Sequence, residues 1–207
     1  MFMLRETLPD LKGKVRFIHS SPGIPSIDIY ADGTLLASNV KFGDLSDYVE
    51  LSPSGYSIEV YKSGTYDTPL LTQSTDVIPG ISNTICIVTN NNVLTLFALK
   101  DAGSKAGKDI CFLRFINLSP NAPLITLGLK NGENLFNDVE YLETTGYYPL
   151  SPGIYDFKLS FSGASAISKT LSGISLTPGE FQTIYVIGLL NGEPQLGFIL
   201  ARDGRQD

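Results

Sequence analysis

The chain has 207 residues, a net charge of −6 and a pI near 4.8, with 43% hydrophobic and 17% charged residues. That acidity, with no run of Lys or Arg to interrupt it, argues against a nucleic-acid partner, and the apolar share argues against a disordered chain. The longest apolar stretches, such as residues 184–190, fall far short of the roughly 20 residues that cross a bilayer as a helix, so no membrane insertion is expected.

Residues 1–12 stand apart as an N-terminal arm. Met1 to Leu4 are apolar, but Arg5 and Glu6 follow at once. This lacks the charged start and apolar core of about 7 to 15 residues that mark a secretory signal. The expectation is synthesis in the cytosol, unless a leader was removed. Residues 1–11 are too apolar to float idly, and they are a candidate to pack across the sheet edge of a neighbouring copy.

Residues 13–100 form a first β module. Its segments alternate apolar and polar residues, as in Tyr56-Ser57-Ile58-Glu59-Val60-Tyr61, and short Pro, Gly and Ser clusters such as Ser52-Pro53-Ser54-Gly55 punctuate them. Asp32-Gly33 sits between two apolar runs and suits a two-residue hairpin turn. Residues 101–109, small and charged, read as a linker.

Residues 110–204 repeat the first module. The segment from Val15 to Ile27 returns as Leu113 to Ile125, with Arg16 answered by Arg114 at an offset of 98. Further on, Asn131-Gly132 answers Asp32-Gly33, Leu150-Ser151-Pro152 answers Leu51-Ser52-Pro53, and Pro178-Gly179 answers Pro79-Gly80. A drift of one residue over the whole length implies one topology used twice. With about seven or eight strands per copy and no sustained helical period beyond a possible turn in 136–145, the fold class is all-β: two tandem antiparallel β-sandwiches.

The first copy carries Arg16, His19, Ser21, Pro22, Pro25, Asp28, Tyr30, Asp32-Gly33, Phe42-Gly43, Ser46, Tyr48, Gly55 and Tyr56 in the segment VRFIHSSPGIPSIDIYADG and beyond. In this pattern it resembles the bacterial domain of unknown function DUF4397. The second copy departs from it, with Asn117 for the histidine, Thr126 for the aspartate and Gly128 for the tyrosine. The resemblance implies immunoglobulin-like or transthyretin-like sandwiches, a place in bacterial envelope or secreted proteins, and no established activity.

Candidate chemistry is sparse. His19, the sole histidine, lies near Ser20, Ser21 and Asp28, but no glycine-flanked nucleophile turn is present, and a structural role at the Ser-Pro turn is expected. Asp28, Asp32, Asp44, Asp47 and Glu50 lack the spacing of a calcium loop and read as a solvated acidic face. Tyr141, Tyr147 and Tyr148 could stack sugars, though packing is the plainer role. Cys86 and Cys111 sit in apolar runs and are expected as buried thiols; with one histidine they cannot complete a zinc site. No phosphate-cradling glycine motif occurs, and no cofactor is expected.

These readings lead to a non-catalytic structural or adhesion module of a bacterial cell surface or spore coat, making protein–protein contacts that include self-association. The alternative is a binder of a small ligand or carbohydrate, or less favourably an enzyme, using the polar set Arg16, His19, Asp28 and Tyr48 that distinguishes the first copy.

Overall fold

The structure, a computed structural model, describes residues 11–163 and 167–204. The arm expected over residues 1–11 lies, apart from Leu11, outside the described residues. The fold is all-β, with no helix among the described residues. The first half runs β1 (Gly13–His19), β2 (Ile27–Ala31), β3 (Thr34–Val40), β4 (Val49–Leu51), β5 (Ser54–Lys62), β6 (Leu71–Val77), β7 (Ser82–Asn90) and β8 (Val93–Lys100). The second half runs β9 (Cys111–Asn117), β10 (Ile125–Leu129), β11 (Asn134–Val139), β12 (Tyr148–Leu150), β13 (Gly153–Phe161), β14 (Ser168–Leu176), β15 (Phe181–Ile187) and β16 (Gly197–Asp203).

These strands make four sheets and two sandwiches. The first sandwich stacks β4-β1-β7-β8 on β3-β2-β5-β6, and the second stacks β12-β9-β15-β16 on β11-β10-β13-β14. The strand orders correspond one to one. One departure from the expected antiparallel sandwich occurs in each half: β1 pairs with β7, and β9 with β15, in parallel. The short turn of helix considered for 136–145 is absent, because Phe136 lies within β11.

Local chemistry sets the turns. Asp32 and Gly33 both take positive φ (46° and 76°), which joins β2 to β3 by the two-residue turn expected of that dipeptide. Asn131-Gly132 does not follow, since the β10–β11 connection closes instead through Gly132 N–H to the Leu129 carbonyl and Leu129 N–H to the Glu133 carbonyl. Tyr56 and Tyr155 each donate a hydroxyl hydrogen bond four residues back, to the Ser52 and Ser151 carbonyls, and so pin the start of the long strand that follows.

Each sandwich fills its own core. Val15, Phe17, Ile27, Ile29, Ile58, Val60, Ile85 and Ile87 pack in the first, and Leu113, Phe115, Ile125, Leu127, Phe157, Leu159, Ile184 and Val186 in the second. Alternation then dictates what the other face of the central strands must do. Alternating with Phe17 on β1 and with Ile85 and Ile87 on β7 are Arg16, Ile18, Thr84, Cys86 and Val88, and all of these are buried as well.

The second face is buried against the other sandwich. Ile18, Cys86, Val88 and Leu99 form one apolar cluster with Ile116, Leu118, Tyr185, Ile187 and Ala201. Strands covered on both faces read as nearly continuous apolar runs, which is why 184–190 looks so apolar. The segment 102–110 is tied down too: Ala106 donates to the Gly179 carbonyl, and Gly179 donates to the Ile110 carbonyl.

Because the two cores share a third apolar cluster, the sandwiches are expected to unfold together. Differential scanning calorimetry should give one endotherm whose calorimetric and van't Hoff enthalpies agree. Two resolved transitions would mean that the shared cluster contributes little.

Candidate functional site

The polar side chains with chemical potential gather where the sandwiches meet. Arg16 on β1 and Arg114 on β9 both point away from their own cores, and each is only 2% exposed. Each is bonded through all three of its nitrogens, in corresponding ways. Arg16 donates from Nε to Thr84 Oγ1 (2.8 Å), from Nη1 to the Arg202 carbonyl (2.7 Å) and from Nη2 to Asp203 Oδ1 (2.7 Å). Arg114 donates from Nε to Thr183 Oγ1 (2.9 Å), from Nη1 to the Lys100 carbonyl (2.8 Å) and from Nη2 to Asp101 Oδ1 (3.0 Å). Each guanidinium therefore bonds a threonine of its own half and crosses to the end of the last strand of the other half.

The two carboxylates close the exchange. Asp101 accepts from Tyr48 (2.6 Å) and Thr84 (2.7 Å), while Asp203 accepts from Tyr147 (2.8 Å), from Thr183 and again from Arg114 (3.3 Å). The Tyr48 and Tyr147 rings also cover the guanidiniums, at 4.5 and 4.8 Å from ring centroid to Cζ. Two cations meet two anions, so the formal charge of the cluster is zero.

Burial and neighbouring charge pull these groups in different directions. Burial disfavours both guanidinium charges, but the carboxylates and tyrosines around them outweigh it and hold both arginines above their ordinary pKa. Asp203 is lifted above the usual carboxylate range by burial, against the pull of Arg114. Burial together with the adjacent carboxylates keeps Tyr48 and Tyr147 protonated to well above the ordinary tyrosine value. One polar atom here has no partner: the Tyr185 hydroxyl, fully buried on β15 where the first half has Cys86.

The four residues of the candidate ligand set do not come together. Arg16 and Tyr48 belong to this cluster. His19 lies beyond it, where its Nε2 donates to the Pro25 carbonyl (3.0 Å), its ring meets Phe42 edge to face and its Nδ1 has no partner. Asp28 works on the outer side of β2: it accepts from Asn39 N–H (2.7 Å), Ser63 Oγ (2.9 Å) and Gly64 N–H (2.8 Å). Burial raises its pKa, but these three bonds outweigh it and leave the carboxyl below its ordinary range. It pins Asn39, whose φ is +51°, as Thr126 pins Asp138 at +50° in the second half.

Other expected groupings separate as well. Ser20 bonds the Ile87 carbonyl and Ser21 bonds Thr89, so neither serine meets His19. Asp44 caps Lys41 N–H, Asp32 accepts from Ser57 N–H and Glu50 pairs with Lys14 at 3.3 Å. Among the described residues no group of three or more His, Cys, Asp or Glu is placed to hold a metal ion. Tyr141 donates across the junction to the Thr89 carbonyl, Tyr147 serves Asp203, and Tyr148 packs on Phe136. Burial pushes the Tyr141 hydroxyl up to about 12. Cys86 and Cys111 are free, buried thiols. The clefts are modest: one of 310 Å³ borders Arg16 and Tyr48, and one of 520 Å³ lies on the second sandwich between Lys169 and the 189–196 loop, lined by none of the four candidates.

Asp101 and Asp203 escaped the sequence reading for an identifiable reason. Asp101 sat in the apparent linker, and Asp203 lies 102 residues on, out of step with the 98-residue offset, because the β15–β16 loop is longer than the tight β7–β8 turn. The repeated arginine and the Tyr48/Tyr147 pair were the available signal.

His19 gives a clean pH test because it is the sole histidine. Burial lowers its pKa in the fold, so the neutral ring is favoured there. The stability it contributes is present above the unfolded value of about 6.5 and is lost as pH falls below it. His19→Asn, which copies Asn117, should flatten urea midpoints between about pH 7.5 and 5.5 and cost no more than about 1 kcal/mol at the upper end. An unchanged pH slope would contradict this role.

Comparison with known proteins relates the chain to a family. The family model described as "Domain of unknown function (DUF4397)" matches residues 13–128. No curated protein matches the chain. Among solved structures, the Bacillus anthracis TIE protein is similar at 10% identity and a TM-score of 0.28; the match covers 86% of this chain, which spans only 34% of that one. The family CBM26 module CBMbc of Eubacterium rectale Amy13K, solved with maltoheptaose, is similar at 11% identity and a TM-score of 0.27, covering 91% of this chain and 96% of that one. At such scores neither likeness bears on function. The family match takes in the whole first sandwich, the junction with Asp101, and β9 with Arg114, and since it covers more than half of the residues, the chain belongs to the DUF4397 family.

Proposed function

We infer that the protein is a non-catalytic structural or adhesion module of a bacterial surface, either the cell envelope or a spore coat, in which the second sandwich is a diverged copy of the family domain. The observation that carries this reading is the use made of the two arginines. All three nitrogens of Arg16 and of Arg114 are bonded inside the chain, and both partner aspartates are buried with them. The groups best suited to grip or polarise a substrate are thus engaged in joining one sandwich to the other.

A joined pair of sandwiches suits a load-bearing or spacing role, since two faces held at a fixed angle can engage neighbours at the same time. The sheet edges at β3, β6, β11 and β14 supply backbone groups for self-association. The corresponding strand orders, and the reciprocal bonding of Arg16 and Arg114, support the diverged-copy reading.

Fractionation of the native cells into cytosol, wall, medium and spores, followed by mass spectrometry, tests the assignment. Enrichment in wall or spore fractions is expected. Recovery as a free protein from the cytosol of growing cells would overturn it.

A further inference from the structure

The outer face of the first sandwich carries an aromatic group unrelated to the junction. On β2 and β5 the alternate residues Ile27, Ile29, Ile58 and Val60 fill the core, so Tyr30, Glu59 and Tyr61 project from the opposite side. Pairing sets Tyr30 directly across from Glu59. Tyr66, from the loop after β5, lies 4.6 Å from the Tyr61 ring and 4.9 Å from the Tyr30 ring, and Tyr30 and Tyr61 meet nearly perpendicular at 5.6 Å.

Glu59 sits within this group with an unmet requirement: its Oε2 is shielded from solvent and has no hydrogen-bond partner. Its charge and burial together raise the Tyr61 hydroxyl above its ordinary pKa, burial being the larger cause. The second sandwich provides an internal control. In the same register Gly128 stands opposite Lys158, and Ser160 follows two residues on. A sheet of the same strand order is therefore built with no ring at those positions and with the opposite charge, so the fold itself does not require Tyr30, Tyr61 and Glu59 there.

We propose that Tyr30, Tyr61, Tyr66 and Glu59 form a binding site for an organic ammonium group, with the rings giving their negative faces and Glu59 the counter-charge. A cation answers both the π faces and the charge of the carboxylate at once. A quaternary ammonium is favoured, because it has no N–H to strip of water against a wall of rings and meets Glu59 by charge alone. A neutral sugar would leave the carboxylate's charge unanswered. Tyr66, the most exposed ring of the group, is 53% exposed. The site is independent of the surface role inferred above.

Titrating the full chain with choline while observing tyrosine ring signals by NMR tests the site, with 3,3-dimethylbutan-1-ol as the uncharged isostere. Saturable shifts confined to Tyr30, Tyr61 and Tyr66 are expected, with a dissociation constant of about 1 mM or tighter. The isostere should bind at least about 10-fold more weakly, Glu59→Gln should weaken choline about 10-fold and Tyr66→Leu about 5-fold, and Lys158→Gln should change nothing. Equal binding of the isostere overturns the proposal. So does an unchanged affinity in Glu59→Gln, a neutral oligosaccharide that shifts the same rings more strongly than choline, or the absence of saturable ring shifts.

Discussion

Two arginines buried between two β-sandwiches can be kept there only if two carboxylates are buried with them. An isolated charge in such a place costs several kcal/mol even after relaxation, whereas a bonded, neutral set can persist. Arg16, Arg114, Asp101 and Asp203 make up that set, and the way they exchange partners decides much else. Each arginine stands on the first strand of its own half, and each reaches the end of the last strand of the other. The halves can satisfy all these groups in one relative placement. The apolar cluster of Ile18, Val88, Ile116 and Ile187 around them supplies attraction without direction; the ions and their threonine and tyrosine partners supply the direction.

This division of labour explains how the central strands are composed. Residues at one parity of β1, β7, β9 and β15 fill a sandwich core, and residues at the other parity face the neighbouring sandwich. The first parity is apolar at its central positions, as with Phe17, Ile85, Phe115 and Ile184, and admits His19, Asn117 and Gln182 only towards strand ends. The second mixes Arg16, Thr84, Arg114 and Thr183 into apolar company. His19 and Asn117 lie at the ends of β1 and β9, where each holds the following turn by a different chemistry: the histidine through the Pro25 carbonyl, the asparagine through Ser119 N–H and the Val139 carbonyl.

Much of the fold was legible because turns and alternation are local. Asp32-Gly33, the Ser-Pro-Gly clusters and the period of two in Tyr56–Tyr61 mark where strands begin, end and face, and the similar segments of the second half carry most of the same signals. What stayed hidden was non-local. The parallel pairing of β1 with β7 joins segments about 70 residues apart, and nothing within either segment announces it. Asp101 looked like linker because small and charged neighbours surround it, and its burial is decided by Arg114 from the other half. The set Arg16, His19, Asp28 and Tyr48 shared a conspicuous motif but not a place, since Arg16 and His19, three apart on β1, face opposite ways, Asp28 lies on the outer side of β2, and only Tyr48 reaches the junction with Arg16. The Tyr30, Tyr61 and Tyr66 group was hidden for the converse reason: its members belong to no common motif and meet only once β2 pairs with β5.

A double-mutant cycle on Arg16 and Asp203 addresses the central claim most directly, because the pair crosses between the sandwiches and its removal leaves Arg114 with Asp101 as a balanced pair. Arg16→Met alone and Asp203→Leu alone should each lower stability by about 3–5 kcal/mol, since each leaves a buried charge without its partner. The double variant should recover a large part of that loss, with a coupling energy above about 1 kcal/mol. Losses that add to within about 0.5 kcal/mol would show that the two residues act independently, and would contradict a junction organised by reciprocal charge.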